Sequence, residues 1–99
     1  MAEKTILKDE IKDKIKRPSM YKVIIYNDDY TTMDFVVEVI MRVFHKSNVE
    51  ATKIMLDVHN LGRGIVGIYS YDIASSKISK VNKMARSEGF PLKLSMEEE

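Results

Sequence analysis

The 99-residue chain has no cysteine and no tryptophan, and only four glycines and two prolines. Without cysteine there is no disulfide and no thiolate ligand for zinc. The scattered glycines do not form the glycine-rich loop that cradles phosphates. Neither sign of charge is in large excess, because sixteen basic residues are balanced by fifteen acidic ones. This balance argues against nucleic acid as the main partner.

Long apolar runs and targeting signals are also missing from the sequence. No run approaches the eighteen or so apolar residues that span a bilayer. The first residues, MAEKTILKDEIKDK, lack the apolar centre and the cleavage site of a signal peptide. We therefore expect a cytoplasmic protein that does not bind membranes. The length and the hydrophobic fraction of 44% predict one globular domain.

The distribution of charge divides the chain into three parts. Residues 1–18 are mostly charged and carry only a thin apolar stripe, so we expect a mobile N-terminal arm. Residues 19–96 contain the apolar patterning of a core domain. Residues 97–99, EEE, are expected to form an acidic tail in solvent.

Hydrophobic periodicity predicts six elements in the core, in the order β-α-α-β-α-β. The strands are MYKVIIY (20–26), GIVGIYS (64–70) and PLKLSM (91–96). Gly67 interrupts the second strand and indicates a bulge or a close approach. The helices begin near Thr31, Ser47 and Ser70, the first two with the spacing of a capping box. The fold class is α+β, a small sandwich with a three-stranded antiparallel sheet covered by helices on one face.

The first helix is apolar over most of its surface. Only Asp34, Glu38, Arg42 and His45 form a polar stripe along it. The helix is therefore either buried on most sides or presents apolar surface to a partner. The sequence leaves both alternatives open.

Acceptor side chains are concentrated where the first strand leads into the first helix, at Asn27, Asp28 and Asp29. Taken alone these are turn residues, and His59 is a half-buried histidine bonded to the backbone. If the fold brings them together, they border one cavity. Its apolar wall would consist of Met33, Val36, Met55, Val58 and Leu92. Such a cavity suits an apolar ligand with a cationic head, such as the first residue of a peptide with a free α-amine.

The candidate residues do not match a catalytic motif. There is no Gly-x-Ser-x-Gly elbow, and a metal-dependent hydrolase built on Asp28, Asp29 and His59 would need more convergent ligands. We therefore predict a binding protein without cofactor or metal, and not an enzyme. The alternative is a protein-interaction module of the same fold that does not bind free N-termini. An example of such a module is the C-terminal domain of the ribosomal stalk protein, which has a related α+β shape.

Three segments together resemble the ClpS adaptor family. They are MYKVIIYNDDYTTMDFV, IMLDVHNLGRGIVGIY, and VNKMAR with the later PL, and they cover about residues 19–95. The resemblance implies an adaptor that binds N-degron substrates through a free α-amine and a first side chain of Leu, Phe, Tyr or Trp. It also implies delivery of those substrates to a Clp AAA+ unfoldase, of either the ClpA or the ClpC type. We expect the adaptor to be a monomer.

The resemblance assigns roles to the residues that match the family motifs. Asn27, Asp28 and His59 match the residues that bind the substrate α-amine, and Asp29 and Thr31 match the rim of the same loop. Met33 matches a gate that limits which side chains enter. The matching pocket walls are Val36, Met55, Val58 and Leu92.

A second set of matching residues lies away from the amine-binding set. Asp72 and Lys77 fall near positions that dock the N-terminal domain of the unfoldase, although Ser75 stands where the family commonly has an acidic residue. Residues 1–17 match the extension that the unfoldase engages during delivery.

Overall fold

The computed structural model describes residues 19–99, which form six elements in the predicted order. These are β1 (Met20–Tyr26), α1 (Met33–Phe44), α2 (Asn48–Leu61), β2 (Arg63–Ser70), α3 (Tyr71–Glu88) and β3 (Lys93–Glu98). The predicted arm, residues 1–18, lies outside the described residues. The predicted α+β class and the element order are confirmed.

The sheet has β1 at its centre, in the order β2-β1-β3, and both pairings are antiparallel. Val23 and Ile25 are fully buried in the same core cluster as the helix side chains Val39 and Val81. Because side chains alternate along a strand, these two residues define the face of the sheet that the helices cover.

The third strand continues further than the sequence indicates. Glu97 and Glu98, assigned to the acidic tail, pair with Lys22 and Tyr21 of β1. The backbone N–H of Glu99 donates to the carbonyl of Met20 at 2.8 Å. The glutamate side chains are exposed as predicted. Their backbone groups nevertheless complete the ladder, because unpaired polar groups of the central strand would otherwise be left without partners.

Gly67 marks both a bulge and a close approach in β2. Val23 pairs with Gly67 and Ile24 pairs with Ile65, so Val66 is an extra residue on the β2 side. A Cβ on Gly67 would lie 2.5 Å from the hydroxyl oxygen of Tyr69. The prediction from the mid-strand glycine is confirmed.

The start of α1 is one residue later than the capping-box spacing predicts. Thr32 is the N-cap, and its Oγ1 accepts a hydrogen bond from the N–H of Phe35 at 3.1 Å. The hydroxyl of Thr31 instead donates to Asp28 at 2.7 Å. The predicted Thr31 cap is therefore wrong. The Ser47 cap of α2 is confirmed, since its Oγ accepts from Glu50 N–H at 3.2 Å.

Helix α1 is buried on most sides. This is the first of the two alternatives, the other being an apolar surface presented to a partner. The buried side chains are Phe35, Val36, Val39, Ile40, Val43 and Phe44. The helix packs against α2, α3 and β2. Its C-terminal end is held by Lys77 of α3, whose Nζ donates to the carbonyl of Val43 at 2.7 Å. A cation at this end also complements the helix dipole.

Gly64 allows the beginning of β2 to lie against α2. A Cβ at this position would come within 2.9 Å of Val58 Cγ2 and 3.3 Å of the Ile54 carbonyl oxygen. We expect Gly64→Ala to lower the free energy of unfolding by about 1–3 kcal/mol through overpacking, measured by urea denaturation.

Gly62→Asn is the matched control, because a Cβ there meets nothing within 4 Å. Gly62 has a φ of 89°, a left-handed conformation that asparagine tolerates. Its expected cost comes from the left-handed backbone alone and is about 1 kcal/mol. Equal stability of Gly64→Ala and wild type would contradict the close approach.

Candidate functional site

A cavity of about 450 Å³ opens at the end of the domain where β1 leads into α1. Its lining comes from residues 27–32 of the β1–α1 loop, from Met33 and Val36 of α1, and from Met55, Val58 and His59 of α2. A volume of this size accommodates a small ligand or a single large side chain with its backbone.

The structure brings nine of the ten predicted pocket residues to this cavity. They are Asn27, Asp28, Asp29, Thr31, Met33, Val36, Met55, Val58 and His59. The tenth, Leu92, is absent from the lining and is 7% exposed within the core cluster. It immediately precedes β3, where its side chain packs into the protein interior. The predicted docking residues Asp72 and Lys77 lie on α3 and do not line the cavity.

Asp28 organises the loop at the mouth of the cavity. Its Oδ1 accepts from the backbone N–H groups of Tyr30 at 2.8 Å and Thr31 at 2.7 Å, and its Oδ2 accepts from the Thr31 hydroxyl at 2.7 Å. Partial burial raises the pKa of Asp28, but the hydrogen bonds from Thr31 and Tyr30 outweigh burial and leave the pKa below its ordinary value. The loop therefore presents a carboxylate that is charged at neutral pH.

A backbone hydrogen bond joins the two polar sides of the mouth. The N–H of Asn27 donates to the carbonyl of Gly62 at 2.9 Å. Gly62 is the left-handed C-cap of α2, and its own N–H donates to Val58 at 3.0 Å. This link fixes the end of α2, which carries His59, beside the loop that carries Asn27. Both side chains are exposed, so His59 is not the half-buried histidine of the simpler interpretation.

The floor of the cavity is apolar and belongs to the core. Val36, Met55 and Val58 are all buried, yet each also borders the cavity. Met33, in the first turn of α1, is 45% exposed and lies nearer the opening. The site thus combines a rigid apolar floor with oxygen and nitrogen acceptors at its mouth.

Sequence reasoning missed two residues of the lining, Tyr30 and Thr32. Thr32 is the N-cap of α1, whereas the sequence predicts Thr31 in that role. Tyr30 is an aromatic residue between polar turn residues, and that contrast was the available signal.

The metal-dependent hydrolase hypothesis finds no support in the geometry of the site. Within residues 19–99, no group of three His, Cys, Asp or Glu side chains lies close enough together to hold a metal ion. In the same part of the chain, no helix has the length and apolarity needed to cross a membrane.

The fold and the cavity together define a small α+β binding domain with an apolar pocket and a polar mouth. Residues 16–95 match the family model of the ATP-dependent Clp protease adaptor protein ClpS. The chain is 61% identical to the adapter protein ClpS of Acetivibrio thermocellus over 99 residues, which is the full length of both chains. It is 53% identical to ClpS of Clostridium acetobutylicum, covering 99% of each chain. The chain therefore belongs to the ClpS family of Clp protease adaptors.

A solved structure extends the comparison to a ligand complex. Agrobacterium tumefaciens ClpS2, solved bound to L-phenylalaninamide, is similar to this chain with a TM-score of 0.80 and 36% identity. The alignment covers 84% of this chain and 100% of that one.

Proposed function

We propose that this adaptor binds N-degron substrates, which have a free α-amine and a bulky first side chain of Leu, Phe, Tyr or Trp. It delivers them to a Clp AAA+ unfoldase of the ClpA or ClpC type. The observation that carries the proposal is the cavity itself, because an apolar floor lies directly beneath a cluster of acceptors. A peptide N-terminus is a ligand with matching parts, a cationic amine joined to an apolar side chain.

The α-ammonium is the part of the substrate that the mouth binds. Its three N–H donors match the acceptors of Asn27, Asp28 and His59, and the negative charge of Asp28 strengthens the interaction. The loop is held in place before the ligand arrives, so little conformational entropy is lost on binding.

The first side chain is the part that fills the cavity. Burial of a Leu or Phe side chain against Val36, Met55 and Val58 contributes about 1.5–3 kcal/mol. L-phenylalaninamide, the ligand of the Agrobacterium tumefaciens ClpS2 structure, combines a free α-amine with such a side chain. That similarity supports the same ligand chemistry for this chain.

Delivery requires a second surface, which we assign to α3. Asp72 lies exposed in the first turn of α3. Lys77 is half-buried, with its ammonium bonded to the Val43 carbonyl and 5.3 Å from the centre of the Tyr69 ring. Replacement of Lys77 would therefore disturb the end of α1 as well as docking, and Asp72 is the cleaner position for testing contact with the unfoldase.

The test is a fluorescence anisotropy titration of labelled peptides that differ only in their first residue. Peptides that begin with Leu, Phe, Tyr or Trp should bind about 10- to 150-fold more tightly than one that begins with Ala. This factor corresponds to the free energy of about 1.5–3 kcal/mol that burial of a large apolar side chain contributes. A folded reporter beginning with Leu, but not with Ala, should be degraded by the Clp unfoldase and protease when the adaptor is added. Equal affinity for Leu and Ala peptides would contradict the proposal and favour a plain interaction module.

A further inference from the structure

Tyr30 is a large aromatic side chain at the mouth that the proposed α-amine and first-side-chain contacts do not use. It is 75% exposed, although it borders the cavity. The position of its backbone is fixed, because its N–H donates to Asp28 Oδ1 at 2.8 Å and the next residue donates twice to the same carboxylate. Exposed aromatic residues that occur singly are common, so exposure alone does not indicate a role.

The other four tyrosines of the chain all have a side-chain partner. Tyr21 packs edge-on against Tyr71 with ring centres 5.4 Å apart, and Tyr69 lies beside Phe44 and Lys77. The hydroxyl of Tyr26 is 2.8 Å from the hydroxyl of Ser95. Among residues 19–99, the ring pairs, cation–π contacts and side-chain hydrogen bonds do not include the Tyr30 ring. Its ring faces are therefore available to a ligand.

A peptide bound with its first side chain in the cavity must place its second residue at the mouth. The cavity of about 450 Å³ is too small to enclose a longer peptide, so the peptide must leave through the opening. Successive side chains of an extended peptide point in opposite directions. When the first side chain enters the cavity, the second points out of it and lies beside the rim. The rim carries Tyr30 on the loop and the half-exposed Met33 at the start of α1.

We propose that Tyr30 forms a subsite for the second residue of the substrate and makes the adaptor prefer an aromatic side chain there. This inference rests on the proposed binding of free N-termini. An aromatic side chain stacks on the exposed ring, whereas alanine in the same place leaves the ring in water. The expected gain is about 2- to 10-fold in affinity, the value typical of one aromatic pair.

The experiment is a double-mutant cycle between the protein and the peptide. Two peptides with a free α-amine and no charged side chains, Leu-Phe and Leu-Ala followed by the same sequence, are titrated against the wild type, Tyr30→Phe and Tyr30→Ala. L-leucinamide, which has no second residue, competes against a labelled peptide as the control ligand. Because Asp28 accepts from the backbone N–H of Tyr30, both substitutions leave the loop hydrogen bonds in place.

The proposal expects the wild type and Tyr30→Phe to prefer Leu-Phe by about 2- to 10-fold. It expects Tyr30→Ala to bind both peptides equally, and its loss of affinity for L-leucinamide to be smaller than its loss for Leu-Phe. A preference that survives in Tyr30→Ala, or an equal loss for L-leucinamide, overturns the subsite. Failure of wild type to bind L-leucinamide and both peptides overturns the proposed function, and the subsite with it.

Discussion

A peptide that begins with leucine should lose nearly all of its affinity for this adaptor when its α-amine is acetylated. Acetylation removes the positive charge and two of the three N–H donors, and it adds a bulky group at the mouth. The acceptors of Asn27, Asp28 and His59 then lose their partner. Loss of one partner of a hydrogen-bonded charged pair costs about 2–5 kcal/mol, which corresponds to roughly a 30- to 4,000-fold weaker affinity.

The measurement is anisotropy of two labelled peptides that differ only in acetylation. The loss should be at least as large as that caused by Leu→Ala at the first position, because the charged contact exceeds the burial of one apolar side chain. The control is a peptide whose α-amine is methylated once, because this amine keeps its positive charge. Equal binding of the free and acetylated peptides would show that the mouth does not bind an amine.

Much of the fold follows from local periodicity. The apolar residues of α2 and α3 repeat at helical spacings that identify one buried face each, and Ala51, Met55 and Val58 are buried as that spacing predicts. Gly67 signals the bulge in β2, where a side chain would crowd the ring of Tyr69. These features depend on neighbours in sequence, which the sequence displays directly.

The features that the sequence did not predict depend on competition between groups. Thr31 and Thr32 have the same side chain. The Thr31 hydroxyl donates a hydrogen bond to Asp28, and Thr32 therefore caps α1. The end of β3 is decided by backbone groups of β1, which pair with the backbone of the three glutamates while the glutamate side chains stay exposed. Neither outcome can be read from composition or spacing.

The candidate site could be predicted from the sequence only in part. The loop acceptors and the apolar residues of α1 and α2 were identifiable, but their convergence depended on how β1 and α2 meet. The hydrogen bond from Asn27 to Gly62 makes that contact. Leu92 shows the limit of the reasoning, since a buried residue beside β3 can belong to the core without bordering the cavity.

Replacement of Asp28 should have the largest effect of any single substitution at the mouth. Asp28→Ala removes three hydrogen bonds that hold the loop. In the proposed complex it also removes the charge that faces the α-amine. We expect affinity for a Leu peptide to fall by about 30- to 150-fold, the low end for a charged pair because the carboxylate is half-exposed. The free energy of unfolding should fall by about 1–2 kcal/mol, as for the loss of a helix-capping side chain.

Asp28→Asn separates the charge from the loop geometry. An asparagine oxygen still accepts from the N–H groups of Tyr30 and Thr31, and its amide can donate to the Thr31 hydroxyl. This variant should keep its stability at neutral pH and lose about 10-fold in affinity, since hydrogen bonds to charged groups are roughly twice as strong as neutral ones. Asp29→Asn is the matched control, because it removes a neighbouring charge from an exposed side chain.

The lowered pKa of Asp28 determines the direction of the pH dependence. Because the folded-state pKa lies below the ordinary value of 3.8, the carboxylate contributes stability that is fully present above that pH. The contribution is lost as the pH falls through the folded-state pKa. In thermal or urea unfolding from pH 7 to 2, wild type should lose stability relative to Asp28→Asn only in the acidic part of the range, below about pH 4. A constant difference between the two proteins across the whole range would show that the hydrogen bonds to Asp28 do not favour its charged form.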